Sequence, residues 1–429
     1  MSDLSMPEYK VSVDQLRPGV FVRLEKVNWF NHPFLFSSFK IRTQAEVEVL
    51  RSLGVTEVIC VPEKSDCLPG PAEARAEAPA AEKREPEKSA AADALWRVKN
   101  ERIERLRQKK QRIAECEERY AASLKDIAQI IQGLSRGNSQ SVLDALAFVE
   151  RMTDHFLRDA ESTLHLMNIL PQGERLYSHA LNVAVLSMMT GRDAGLSARE
   201  MTALGMGALF HDIGKVRIEK RVLRKRGPLT KPERELVERH PLYGVEMLEA
   251  VPEFPHEGLA VVRQHHERLD GSGYPGGLAG TDIDLLARIT AIADIYDNHC
   301  NQPDPEDSYT PYLALSYMFT QQKHLLDKDM LALFIRCLGV YPPGTVVQLS
   351  NGAIGMVMAV NPENQLCPSL VLYDPQIPKK EALIIDLAEE PDLRVEKSIR
   401  LKHLPQEILD YLSPRTRITY YVEPDGPGR

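Results

Sequence analysis

Two apolar stretches constrain this chain more than any other feature. "LGMGALFHDIGK" (204–215) is a helical apolar run that ends in His211-Asp212, and "LARITAIADIYD" (286–297) is another that carries Asp294. A His-Asp pair or a lone Asp on a helix that must be buried is costly unless a partner compensates it. A metal ion is the natural partner. These segments therefore predict a helical core closed around a polar centre, and exclude a simple apolar bundle. Asp297 falls three residues after Asp294, close to the same helical face.

The other histidines in polar, acid-adjacent settings point the same way. They are His179, His240, and the pair His265-His266 that opens "HHERLDGSGYPGG" (265–277). Imidazoles and carboxylates together suit first-row divalent metals. The five imidazoles with Asp212 and Asp294, seven groups, exceed the need of one tetrahedral ion and suit two ions that share a bridging carboxylate. Each piece alone has a plainer reading, as a hydrogen-bonded core histidine, a helix cap or a turn. Their joint occurrence favours the metal.

Around this region the chain of 429 residues divides by composition. Residues 1–67 read as a small α/β domain. "YKVSV" and "VFVRL" are strands about a Pro18–Gly19 turn, and "VTEVICV" is a third strand. "TQAEVEVLRSLG" is a helix with a Thr43/Glu46 capping box. Residues 68–93, rich in Pro, Ala, Glu and Lys, read as a disordered linker. Residues 94–138 form a connecting helix, with Leu106, Ile113, Tyr120, Ile127 and Leu134 every seven residues over 94–135. A homodimeric coiled coil is one reading. Packing on its own catalytic domain is favoured, because Lys110 and Glu117 interrupt the second seam formed by Ile103, Leu124 and Ile131. Residues 139–340 read as the helical catalytic domain. Residues 341–429 read as a small β subdomain, led by a hairpin about Asn351–Gly352 in "YPPGTVVQLSNGAIGMVMAV".

The net charge of −8 argues against binding a nucleic-acid polymer. No apolar run reaches the roughly 18 residues of a membrane helix, and the N-terminus has no secretory pattern. The six cysteines show no CxxC pair. A cytoplasmic protein is expected. One basic island, residues 215–231, either draws in an anion or is a solvated loop, and the loop reading is favoured beyond Lys215.

His211-Asp212 followed by "HHE…DGSGYP" resembles the HD-GYP subgroup of the HD metal-dependent phosphohydrolases. The blocks "YSHALNVAVLS", "HDIGK", "RHPLYGVEML", "HHERLDGSGYPGGLAG" and "ARITAIADIYD" follow the family order over about 150–340. Residues 9–66 also resemble a small domain often found ahead of such catalytic domains. The resemblance implies an α+β multidomain chain with a mainly α-helical HD-type catalytic domain. It implies hydrolysis of cyclic di-GMP to pGpG, and on to GMP, by a metal-bridged hydroxide. It implies two divalent ions per chain, iron or manganese. His179, His211, Asp212 and Asp294 would hold one, and Asp212, His240, His265 and His266 the other. His211, Asp212 and Lys215 would be catalytic. Lys215, Asp297, Gly273, Tyr274 and Pro275 would face substrate, with Gly271 and Gly273 allowing positive φ.

The chain departs from the family twice. Members that bind three metals carry a Glu four residues before the first histidine. Here "GERLYSH" places Arg175 there, so two metals are expected. After "ADIYD" the family carries a basic phosphate-binding block. Here "NHCNQPDPEDSYTPYLAL" places Pro303 and Glu306 at its basic positions. That departure, the heptads and the separate N-terminal domain motivate an alternative: a nucleotide-responsive signalling protein with a protein partner and little turnover.

Overall fold

The computed structural model describes residues 8–24, 31–34, 36–71, 90–158, 164–166, 175–225, 227–302, 307–361, 363–375, 377–379, 382–412 and 420–422. The chain forms two compact units. One comprises Met1–Lys110, Leu349–Ala353 and Tyr373–Leu383; the other comprises Gln111–Gln348, Ile354–Leu372 and Ile384–Arg429.

In the first unit, β1 (Tyr9–Ser12), β2 (Phe21–Arg23), β3 (Ser38–Lys40) and β4 (Glu57–Cys60) form an antiparallel sheet in the order β1-β4-β2-β3. Helix α1 (Gln44–Ser52) contributes Val47 and Leu50 to a core that includes Val11, Val22, Ile41 and Val58. Thr43 caps α1 by accepting from Glu46 N, while Glu46 reaches one residue further back, to Arg42 N, rather than closing a capping box on Thr43. Strand β3 was not anticipated from sequence, because three residues show too little alternation. Residues 72–89, most of the expected linker, lie outside the described residues.

The second unit carries the helices α2 (Ala90–Ser135, begun in the first unit), α3 (Gln140–Arg158), α4 (Arg175–Asp193), α5 (Ala198–Phe210), α6 (Lys220–Leu223) and α7 (Lys231–Val237). They are followed by α8 (His240–Leu248), α9 (His256–Gln264), α10 (Leu285–Cys300), α11 (Pro311–Tyr317), α12 (Lys328–Leu338) and α13 (Gln406–Leu412). Helices α4, α5, α9 and α10 pack against one another. Val183, Leu186, Leu204, Met206, Val261 and Ile292 are fully buried among them. In α2, Tyr120, Ile127 and Leu134 are buried within the single chain. From Tyr120 onward these heptad positions are therefore covered within the chain rather than open to a coiled-coil partner. The side chains of Leu106 and Ile113 lie outside the described residues.

The same unit holds β5 (Leu164–Leu166), β6 (Val346–Leu349, all but its last residue), β7 (Ile354–Ala359), β8 (Ser369–Leu372), β9 (Ile384–Asp386), β10 (Val395–Ser398) and β11 (Tyr420–Val422). The path β10-β6-β7-β5-β11 is extended by β8 on β7 and β9 on β8. The hairpin about Asn351–Gly352 pairs Val346 with Met356 and Gln348 with Ile354. The sheet is not confined to the chain after residue 340. Strand β5 comes from the stretch read as helical and pairs with β7 and β11. A three-residue strand between helices leaves no periodic signal. Among the described residues, no helix is long and apolar enough to cross a membrane.

Candidate metal centre

Three histidines sit at helix ends, and the same device orients each. His211 caps the C-terminus of α5, His265 caps that of α9, and His240 opens α8 just after α7 ends. Carbonyls in the last turn of a helix lack an amide partner. Each imidazole uses the one three residues before it. Nδ1 of His211 lies 2.7 Å from Ala208 O, Nδ1 of His240 2.8 Å from Val237 O, and Nδ1 of His265 3.0 Å from Val262 O. A carbonyl only accepts, so each Nδ1 carries the proton and each Nε2 is turned inward.

His179 lies within α4, where no such carbonyl is free, and Asp297 takes that part. Its Oδ2 is 2.6 Å from His179 Nδ1, while its Oδ1 accepts from Asn182 at 2.7 Å and Asn301 at 2.9 Å. Asp297 is 1% exposed. Both its oxygens are engaged within the protein, and the structure places Asp297, expected to face substrate, behind His179 as its orienting partner. Orientation of a ligating imidazole by a carboxylate is a common companion of metal sites.

The inward atoms converge. His179, His211 and Asp294 form one group that could hold a metal ion, and Asp212, His240, His265 and His266 form another. His179 Nε2 is 3.2 Å from His211 Nε2 and 3.1 Å from Asp294 Oδ1. His240 Nε2 is 3.2 Å from His265 Nε2 and 3.2 Å from Asp212 Oδ1. Asp212 faces both groups: Oδ1 looks toward His240 and His265, and Oδ2 lies 3.5 Å from His211 Nε2 and 3.7 Å from His179 Nε2. All seven residues singled out in the sequence as ligands lie in these two groups.

The electrostatics fit a cation. Burial drives the His265 and His266 imidazoles well below their ordinary range, and lowers His211, so these rings are neutral. Burial alone would raise Asp212, but Lys215 and the neighbouring imidazoles hold its carboxyl well below the carboxylate range. Burial likewise opposes the Asp294 charge, which the hydrogen bond from His179 outweighs. Burial disfavours charge on His179 too, but Asp294 and Asp297 raise it to about 10. Asp212 Oδ1 is buried without an aligned hydrogen-bond partner. An ionised oxygen left so, beside the neutral imidazole of His265 that turns a bare nitrogen toward it, has the donor set a divalent ion takes.

The chain around the donors explains its glycines. A Cβ on Gly214 would lie 2.0 Å from His240 O, so only glycine lets the turn after His211-Asp212 rest on the start of α8. Gly271 has φ of 78°, as expected, but Gly273 does not have positive φ. A Cβ on Gly273 would sit 2.4–2.5 Å from the backbone of His266, Glu267 and Arg268. It packs the loop onto the histidine pair, where Tyr274 lies 4.6 Å from the His266 ring. The Tyr274–Pro275 bond is cis. Burial pushes the Tyr274 phenol well up, with Asp294 and Asp212 adding to it, so Tyr274 keeps its proton.

Lys215 Nζ donates to Asp212 Oδ2 at 2.6 Å. Four further basic residues of the island are paired at the surface: Arg217 with Glu246, Arg221 with Glu219, Lys225 with Glu233 and Lys231 with Glu235. Pro303 and Glu306 lie outside the described residues, as does Arg226. Sequence reasoning missed the supports. Asn298 donates to Asp294 Oδ1 at 2.7 Å, and the buried Glu267 accepts from Gly276 N at 2.6 Å and Leu278 N at 2.9 Å. Asn298 and Asn301 stand four residues after Asp294 and Asp297, a spacing too common to single them out.

Residues 165–330 match the family described as "HD domain", and residues 8–145 match a "Domain of unknown function (DUF3391)". The chain is 30% identical over 365 residues to "Cyclic di-GMP phosphodiesterase PA4108" of Pseudomonas aeruginosa, covering 85% of this chain and 84% of that protein. It is 38% identical over 149 residues to "Cyclic di-GMP phosphodiesterase response regulator RpfG" of Xanthomonas campestris pv. campestris, covering 34% of this chain and 39% of that one. It is 40% identical over 124 residues to "3'3'-cGAMP-specific phosphodiesterase 1" of Vibrio cholerae, covering 28% of each. Helical HD architecture, the His/Asp clusters and likeness over most of the chain converge: this protein belongs to the HD-GYP family of HD-domain metal-dependent phosphodiesterases.

Proposed function

We propose that the protein hydrolyses cyclic di-GMP to linear pGpG, and on to GMP, at a centre of two divalent ions. One observation carries the reading: the Asp212 carboxylate stands between two imidazole groups, with an oxygen turned to each. His179, His211, Asp294 and Asp212 would hold one ion, and Asp212, His240, His265 and His266 the other. This donor set accepts iron or manganese. Bound there, such ions supply Lewis-acid charge and acidify water.

The chain's own residues do the rest. Carbonyls fix the rings of His211, His240 and His265, and Asp297 fixes that of His179, as supports of a metal site do. Lys215 is 29% exposed beyond its bond to Asp212 and can reach a non-bridging phosphate oxygen, where charge builds in the transition state. Tyr274 keeps a phenolic proton at the edge of the centre and can donate to the phosphodiester. Water adds to phosphorus, the P–O3′ bond breaks, and the departing oxygen takes a proton.

The test is product analysis. Protein loaded with manganese or ferrous iron should convert cyclic di-GMP to pGpG, and His211→Ala should not. Absence of pGpG and GMP from the loaded protein, with cyclic di-GMP still bound, would instead establish the alternative of a nucleotide-responsive binding protein.

A further inference from the structure

The C-terminal end of α10 carries a second cluster that the metal centre does not use. His299 and Tyr309 stack with ring centroids 5.2 Å apart and planes within 6°. Tyr317 meets both edge-on, at 5.3 Å from His299 and 5.5 Å from Tyr309. The rings are held in place. Tyr309 N donates to His299 O at 2.8 Å, and His299 Nε2 lies 3.1 Å from the acceptor Gln322 Oε1. Gln322 closes a π-helical turn, Met318–Gln322, that continues α11. Such turns are rare and concentrate at functional sites. Yet Tyr309 and Tyr317 each remain 37% exposed. Fixed aromatic rings that stay partly exposed suit the stacking of a flat ligand.

Position ties the cluster to the metal centre. Asp294 and His299 are five residues apart on α10, about 7.5 Å along its axis. The part-exposed face beside them is Ile295, Asn298 and Gln302, and Asn298 holds the Asp294 carboxylate. The loop after His266 returns to the same region, because Leu269 N donates to Leu325 O at 3.0 Å. Charge favours an uncharged contact here. Residues 298–315 contain no Lys or Arg, so this end of the site cannot bind phosphate by a side-chain cation of that stretch.

We infer that Tyr309, Tyr317 and His299 form a stacking wall for the purine base of the nucleotide whose phosphodiester is held at the metal centre. The inference rests on the proposed dinucleotide phosphodiesterase reading and adds how such a substrate is gripped. Phosphate is met by the metal centre and Lys215, and the base supplies affinity through its π-face.

Equilibrium titration of the manganese-loaded full chain with GMP and with ribose 5-phosphate tests the wall. The two probes share sugar and phosphate and differ in the base. The expected result is that GMP binds about ten-fold tighter or more, the scale of one base stacked on one ring. Tyr309→Ala and Tyr317→Ala should each remove most of that preference and leave ribose 5-phosphate affinity and metal content unchanged, while Tyr309→Phe should keep it. Equal affinity for both probes in the wild type, an unaltered preference in both alanine variants, or equal loss for both probes would overturn the wall. Failure of the wild type to produce pGpG would defeat the substrate reading alone, since the ratio of the two affinities still decides the wall.

Discussion

The two groups of rings on and around α10 are ordered in different ways. At the metal centre His179, His211, His240 and His265 are buried, and each is pinned through the nitrogen that faces away from the site. At the end of α10 the rings of His299, Tyr309 and Tyr317 are pinned by one another, a backbone bond and one amide, and the two tyrosines stay 37% exposed. The first arrangement pre-forms a binding site for a small hard charge, where small displacements of a donor matter. The second offers area, which tolerates small shifts. The difference teaches where substitutions should strike hardest.

The largest effect is expected at Asp212, the one residue turned to both groups. Asp212→Ala should empty both metal positions and lower turnover by more than about a hundred-fold, beyond the loss typical of an outer partner. Elemental analysis beside a rate measurement checks this, and an Asp212→Ala protein with full metal content would break the distinction drawn between the two clusters. Next comes Asp297, which acts through His179. Asp297→Asn should cost about 10- to 100-fold in metal affinity or activity while the protein stays folded. If Asp297 touched substrate instead, KM would rise with metal affinity unchanged. Acidification should also strip the metal, because His211, His265 and His266 coordinate only when neutral, and protons compete for the same nitrogens. Metal retention that does not fall with pH would count against imidazole ligation.

Smaller effects are expected from the packing that holds the donors. Gly214→Ala forces a methyl against His240 O, and about 1–3 kcal/mol of stability should be lost. A thermal melt reads it, and the same Tm as wild type would show that the turn can move away from α8. Glu267→Gln is the mildest change. It weakens the charge-assisted bonds to Gly276 N and Leu278 N, by about 1 kcal/mol. KM should rise a few-fold at constant metal content, and a loss of metal instead would place Glu267 in the support of His265 and His266.

The metal side was legible in the sequence for a physical reason. Buried His and Asp on apolar helices are costly enough that few sequences carry them without use, so "HDIGK" and "ADIYD" announce themselves. The supports were less legible. The carbonyls that orient His211, His240 and His265 belong to the backbone and leave no residue signature. Asp297 was visible as a nearby carboxylate, but only the fold shows that its oxygens turn inward to His179, Asn182 and Asn301. The aromatic cluster was invisible, since Tyr309 comes ten residues after His299 through a stretch of no periodic pattern, and Tyr317 joins them only through the course of α11. Short strands such as β3 and β5 were missed because alternation needs more than three residues to be read.

The central claim is that Asp212 joins two metal positions, and counting metal tests it most directly. Protein loaded anaerobically with manganese or ferrous iron should hold two ions per chain. His179→Ala and His240→Ala should each bring that to one, from opposite sides of Asp212. Three tightly held ions in the wild type, a single ion, or an unchanged count in both variants would contradict the account.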